Sequence, residues 1–344
     1  MSNKIASDPR IDPRIKAVFG QISMPSGEDV ESREALLEAA STPEAKEAQA
    51  GFESMMELCD SEEIAPSTGL EIKDLDFTSE PDGNTARIQF IRPTSDEKLP
   101  CVYYIHGGGM SSLSCYLGNY RAWGRMIAAQ GVAVAMVEFR NAVSPSTIPE
   151  VAPYPAGLND CVSGLKWVAS QADELGIDAS RIIVAGESGG GNLTLATGLR
   201  LKQEGQLALI QGLYALCPYI AGIWPLDENP SSIENNGILL DLHNNHGPMG
   251  YGIEAFDKRD PQAWPGFATE DDVRGLVPTV IHVNECDPLR DEGINFYRLL
   301  LRAGVPSRCR QAMGTVHGTE IFPIACPEVS RDTAISIADF CKNG

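Results

Sequence analysis

From residue 100 onward the chain alternates strand-like, mostly apolar runs with amphipathic stretches, and that alternation leaves few folds open. The runs "PCVYYIHG" (100–107), "VAVAMVEFR" (132–140), "RIIVAGES" (181–188), "QGLYALCPYI" (211–220), "PTVIHVNECD" (278–287) and "SRCRQAM" (307–313) read as strands. Between them, "NYRAWGRMIAAQG", "GLNDCVSGLKWVASQADELG", "GINFYRLLLRAG" and "SRDTAISIADFC" carry apolar residues at helical spacing. Strands without polar alternation are buried on both faces, so the pattern predicts a mostly parallel sheet flanked by helices. Ahead of it, "LEIKDLDF" and "TARIQFIR" alternate apolar and polar residues around a "PDGN" turn, which predicts a hairpin.

Two segments fall outside this rhythm. Residues 1–65 are polar and helical in pattern, whereas 221–275 are rich in Pro, Gly, Asn and aromatics and exceed what a connection needs. The expected organisation is an N-terminal helical segment over 1–65 and an α/β core over 66–344 with an inserted segment at about 221–275. A sheet of this kind is expected to complete its core without the N-terminal helices. Phe19, Met24, Phe52, Met55 and Met56 then need another surface to cover, and a site at the sheet's carboxyl edge would provide one.

Composition narrows the partners. A net charge of -20 argues against nucleic acid or an anionic membrane surface, both of which demand a basic patch. No stretch approaches the roughly 20 apolar residues of a membrane span, and "MSNKIASDPRIDPRIK" lacks the apolar core of a signal peptide. The nine cysteines are scattered singly with no C-x-x-C pair, which reads as reduced thiols in a cytoplasmic protein with no zinc site.

In "GESGGGN" (186–192) four glycines crowd one serine directly after a strand. A phosphate loop of the G-x-x-x-x-G-K-[S/T] kind needs a lysine that does not follow, and the spacing does not fit G-x-G-x-x-G. It does fit G-x-S-x-G between strand and helix, a sharp turn that lifts Ser188 out at the carboxyl edge of the sheet. A serine hydroxyl is a weak nucleophile unless a base accepts its proton. Of five histidines, His106 opens a glycine run, His282 lies mid-strand, and His243 and His246 fall in the inserted segment. His317, between the last strand and the last helix, reaches the same edge as Ser188. For the group that orients it, Asp287 stands directly after a strand. Asp291 and Glu292 are rivals whose position at a helix start explains them without catalysis. The order Ser188, Asp287, His317 and the "HGGGM" loop (106–110) complete the parts of an acyl-transfer site. Activity would rise with pH as His317 loses its proton, with a midpoint near or below about 6.5.

The set "HGGGM", "GESGGGN", "DPLRDEG" and "VHG", supported by "VEFRNA" (137–142), resembles the hormone-sensitive-lipase family of α/β-hydrolases from about residue 70 to the C-terminus. The resemblance implies an α/β-hydrolase fold with a helical cap and a serine carboxylesterase acting on small-molecule esters of short to medium acyl chains. It implies no cofactor and no metal, and it makes Ser188 the nucleophile, Asp287 the acid and His317 the base. It also implies an oxyanion hole from Gly107, Gly108 and Gly189, with Met110 and Leu289 contacting substrate, and a homodimer is compatible with it. Glu187 and Gly189 depart from the aspartate and alanine frequent in the family, and Thr319 from its aromatic. A lactonase or amidase with the same residues is the alternative. A ligand receptor on an inactive scaffold is disfavoured, because serine and histidine are both kept.

Overall fold

The apolar runs assemble into one eight-stranded sheet. In the computed structural model, which describes residues 4–21 and 27–344, the strands are β1 (Leu70–Thr78), β2 (Thr85–Pro93), β3 (Leu99–Ile105), β4 (Ala133–Glu138), β5 (Ile177–Glu187), β6 (Gly212–Leu216), β7 (Thr279–Asn284) and β8 (Ser307–Ala312). Their spatial order is β1-β2-β4-β3-β5-β6-β7-β8. The β1–β2 hairpin joins β4 antiparallel, and the pairs from β4 through β8 are parallel. This is the doubly covered sheet that the run pattern predicts.

Side-chain alternation divides each central strand between two cores. Cys101, Tyr103 and Ile105 of β3 join one cluster and Val102 and Tyr104 the other; β4 and β5 divide in the same way. The longer helices are α1 (Pro13–Phe19), α2 (Arg33–Ser41), α3 (Pro43–Glu57), α4 (Gly118–Ala128), α5 (Ala156–Ser170), α6 (Gly189–Gln203), α7 (Arg290–Arg302) and α8 (Pro327–Asn343). The first face is covered by α5, α6 and α7, and the second by α4 and α8. Each large apolar side chain withdrawn from water contributes about 1.5–3 kcal/mol, so both faces stabilise the sheet. Among the described residues no helix is long and apolar enough to cross a membrane.

The N-terminal segment departs from expectation. Helix α1 starts at Pro13 behind Asp12, whose side chain accepts from the Arg14 N–H. Ile5, Ile11, Ile15, Phe19 and Met56 are all buried in the same cluster as Tyr104, Trp123 and Phe322. The sheet therefore does not complete this core alone. By contrast α2 buries no residue and α3 buries only Met56, leaving Phe52 partly exposed; Met24 lies outside the described residues. Within 221–275, Trp224, Tyr251 and Trp264 sink into the first core.

Candidate active site

Strand β5 runs into α6 through a single non-helical residue. Ser188 adopts φ 57° and ψ -119°, a conformation costly for a residue with a side chain and held only because its surroundings over-determine it. Its N–H donates to the Leu216 carbonyl, and its own carbonyl accepts from Asn192 and Tyr219. The turn packs against the end of β3 so closely that a Cβ at Gly190 would strike the Ile105 carbonyl oxygen. Glycine is required there by space.

The residues expected to cooperate with Ser188 meet it. The Ser188 hydroxyl lies 2.9 Å from His317 Nε2, and His317 Nδ1 lies 2.8 Å from Asp287 Oδ2. With the ring proton on Nδ1, that nitrogen donates to the carboxylate and Nε2 is free to accept from serine. Asp287 is fully buried, and its Oδ1 accepts from the Leu289 N–H at 2.9 Å. Asp291 instead accepts from Arg290 and the Ser231 N–H at the start of α7. Glu292 also lies in the first turn of α7, but its buried carboxylate accepts from the Ile220 and Ala221 amides and the Trp224 indole. Burial pushes its carboxyl up to about 8. The remaining histidines bond elsewhere, His243 with Ser232, His246 with Glu28, His106 with Gly107 and His282 with Glu320.

Electrostatics around His317 oppose one another. Burial, the largest influence, disfavours the charged ring, but the Asp287 carboxylate and the neighbouring Cys217 sulfur together hold the imidazole well above its ordinary value of 6.5. The Cys217 thiol beside it is pushed by its own burial to about 11 and is neutral at pH 7. The direction is the reverse of a midpoint near or below 6.5. Cys217, Asp287 and His317 offer ligand atoms within 4.8 Å of one another, a spacing a metal could use. The His317–Asp287 hydrogen bond accounts for the closeness of two of them.

Three sequence assignments need correction. The Gly107 N–H points away from the serine, donating to Glu187 Oε1 at 2.7 Å and to the Tyr120 hydroxyl at 3.0 Å. Gly108 and Gly109 line the cavity in its place, and among the described residues neither amide has a protein acceptor. Met110 has φ 58° and is 1 % exposed; its side chain turns into the core and does not line the cavity. Leu289 is likewise fully buried in the core, and what it offers the site is its backbone N–H to Asp287.

Sequence reasoning missed the support beneath the glycine loop. The buried Glu187 carboxylate accepts from Tyr104 at 2.6 Å, Tyr120 at 2.5 Å and Gly107 at 2.7 Å. Burial pushes its carboxyl up to about 7, against the pull of these donors. The only signal in the sequence was Glu187 itself, one methylene longer than the common aspartate. Above Ser188 lies a cavity of about 410 Å³, walled by Phe19, Phe52, Leu113, Leu239, Leu242 and Phe322 among others. N-terminal and inserted segments both contribute to these walls.

Several known proteins are similar to this chain. A family model described as alpha/beta hydrolase fold matches residues 102–321. Carboxylesterase NlhH of Mycobacterium tuberculosis is 32% identical over 249 residues, which are 72% of this chain and 74% of the relative. The solved structure of esterase Est22 is 77% identical with a TM-score of 0.98, covering 99% of this chain and all of that one. Brefeldin A esterase, described as a bacterial homologue of human hormone-sensitive lipase, is 34% identical with a TM-score of 0.85, over 98% of this chain and 94% of its own.

Proposed function

Because this chain belongs to the hormone-sensitive-lipase family of α/β-hydrolases and is a carboxylic ester hydrolase, we propose that it cleaves esters through an acyl-enzyme on Ser188. The hydroxyl oxygen attacks the ester carbonyl while His317 Nε2 takes its proton, and Asp287 stabilises the imidazolium that forms. The tetrahedral oxyanion is met by the amides of Gly108, Gly109 and Gly189. His317 then protonates the leaving alcohol, the acyl group stays on Ser188, and a water activated by the same imidazole releases the acid. The observation that carries this reading is the unbroken chain of contacts from Ser188 through His317 to Asp287 at 2.9 and 2.8 Å.

The substrate reading follows from the walls. A mostly apolar cavity of about 410 Å³ favours esters whose acyl and alcohol parts are both modest, so short to medium acyl chains are preferred over long lipids. Residues of the N-terminal segment and of 221–275 form the cap that excludes water during reaction. Nine cysteines, all free, support a cytoplasmic enzyme. The test is a p-nitrophenyl ester panel from acetate to decanoate beside Ser188→Ala. Activity should peak at short or medium chains and fall about 10⁴–10⁶-fold in kcat in the variant. A variant keeping a tenth of the activity would remove Ser188 from the mechanism.

A further inference from the structure

Three buried groups below the site have no part in the proton transfers. Glu320 is 1 % exposed and follows His317 by three residues, across Gly318 at φ 64°. Its Oε1 accepts from His282 Nε2 at 2.8 Å and from Asn284 Nδ2 at 2.7 Å. His282 and Asn284 sit two apart on β7, so they share one face of the strand, and the strand then leads directly into Asp287.

This tie joins the same two segments that the Asp287–His317 hydrogen bond joins, on the other side of the histidine. Further contacts run the same way. Asn284 Nδ2 also donates to Thr315 Oγ1, and the Cys286 N–H donates to the Thr315 carbonyl. The His282 carbonyl accepts from the Cys217 N–H at 2.6 Å, and the Cys217 sulfur stands beside His317 and Asp287. The cluster is only partly paired, since Glu320 Oε2, His282 Nδ1 and Asn284 Oδ1 meet no partner among the described residues, and a core with no geometric task would avoid that cost with apolar side chains.

We propose that Glu320, anchored by His282 and Asn284, is a positioning residue that fixes the loop carrying His317 against the strand carrying Asp287. The carboxylate never meets substrate. It sets how closely Nε2 follows the serine hydroxyl, and a misplacement of about 1 Å at such a contact costs about 10²-fold in rate.

The proposal rests on the Ser188–His317–Asp287 reading, and the experiment separates the two. Wild type, Glu320→Ala and Glu320→Gln are labelled to completion with a fluorophosphonate, and kcat is expressed per labelled site. Glu320→Ala should lose about tenfold or more in kcat per site with KM within about twofold. Glu320→Gln, which keeps an oxygen acceptor for both donors, should recover most of that loss. Wild-type kcat per site in Glu320→Ala, or no rescue by Gln, overturns the proposal. If Glu320→Ala does not fold, Asn284→Ala is read by the same measure, and an unchanged kcat per site again overturns it. Wild type that takes no label would instead strike the acyl-enzyme reading.

Discussion

The glycine at 189 offers the sharpest test of how tightly the site is assembled. A methyl group there would lie 2.5 Å from the Met110 nitrogen and 2.7 Å from the Gly109 nitrogen. Ordinary carbon contacts begin near 3.5 Å, so Gly189→Ala forces the glycine loop to withdraw by about 0.8–1 Å. The turn carrying Ser188 cannot retreat instead, because Gly190 is already pressed against the Ile105 carbonyl. The groups that move carry the Gly108 and Gly109 amides, and oxyanion donors act only when set about 2.7–3.1 Å from the developing charge. Losing one such donor costs about 10²–10³ in kcat. A shift that weakens two without removing them should cost about 10–100-fold. Substrate binds before the oxyanion exists, so KM should stay within about threefold. Initial rates with p-nitrophenyl acetate, together with a thermal melt to verify folding, measure both. A folded Gly189→Ala with kcat within threefold of wild type would refute the argument and return the alanine common in the family to a neutral role.

Other outcomes follow from the same geometry. Asp287→Asn should lower kcat about 10⁴-fold by favouring the wrong histidine tautomer, whereas Asp291→Asn should cost far less, and equal losses would reject the choice of acid. Since Asp287 holds the His317 pKa above 6.5, the ring stays protonated to higher pH and cannot accept the serine proton there. The rate kcat/KM should therefore be lost as pH falls, with a midpoint above 6.5, and a plateau already reached below that pH contradicts the raised pKa. Phe52 lines the cavity yet is 36% exposed, so Phe52→Ala should barely move the melting temperature. It should raise KM for butyrate or hexanoate esters about 3–10-fold, about 1 kcal/mol of lost apolar contact; unchanged KM across the panel would exclude Phe52 from the wall.

What the sequence disclosed and withheld divides along a physical line. The central strands β3 to β7 were legible because buried strands are largely apolar, whereas the edge strand β8 (SRCRQA), with no buried residue, was read from its place in the alternation. Ser188, Asp287 and His317 were found because each follows a strand at one edge of the sheet. Amide directions were not legible. Gly108 at φ 94° and Gly109 at φ 62° aim the loop, and glycine alone does not say which way it will turn, so nothing in the sequence separates Gly107 from Gly109. The same left-handed turn at Met110 buries a side chain that spacing placed in the pocket. The Glu187 ties were hidden for another reason: Tyr104 and Tyr120 lie 83 and 67 residues from it in sequence, and no local pattern couples them. The docking of α1 escaped notice because its apolar residues are few and its partners lie at the far end of the chain.

That docking gives the protein a history as well as a shape. Phe19 meets Phe322 edge to face with ring centres 5.2 Å apart, the Asp12 N–H donates to the Gly314 carbonyl, and Arg14 pairs with Glu328 across 314 residues of chain. At roughly 5–20 residues per second on the ribosome, the first helix waits on the order of 15–60 s before its partners exist. Gly314 and Phe322 flank His317, so a segment made early closes around a histidine made much later. Under the proposed mechanism, a nascent chain that carries Ser188 and the glycine loop but stops short of His317 has a nucleophile with no base, and it should cleave no ester until that histidine is made and docked.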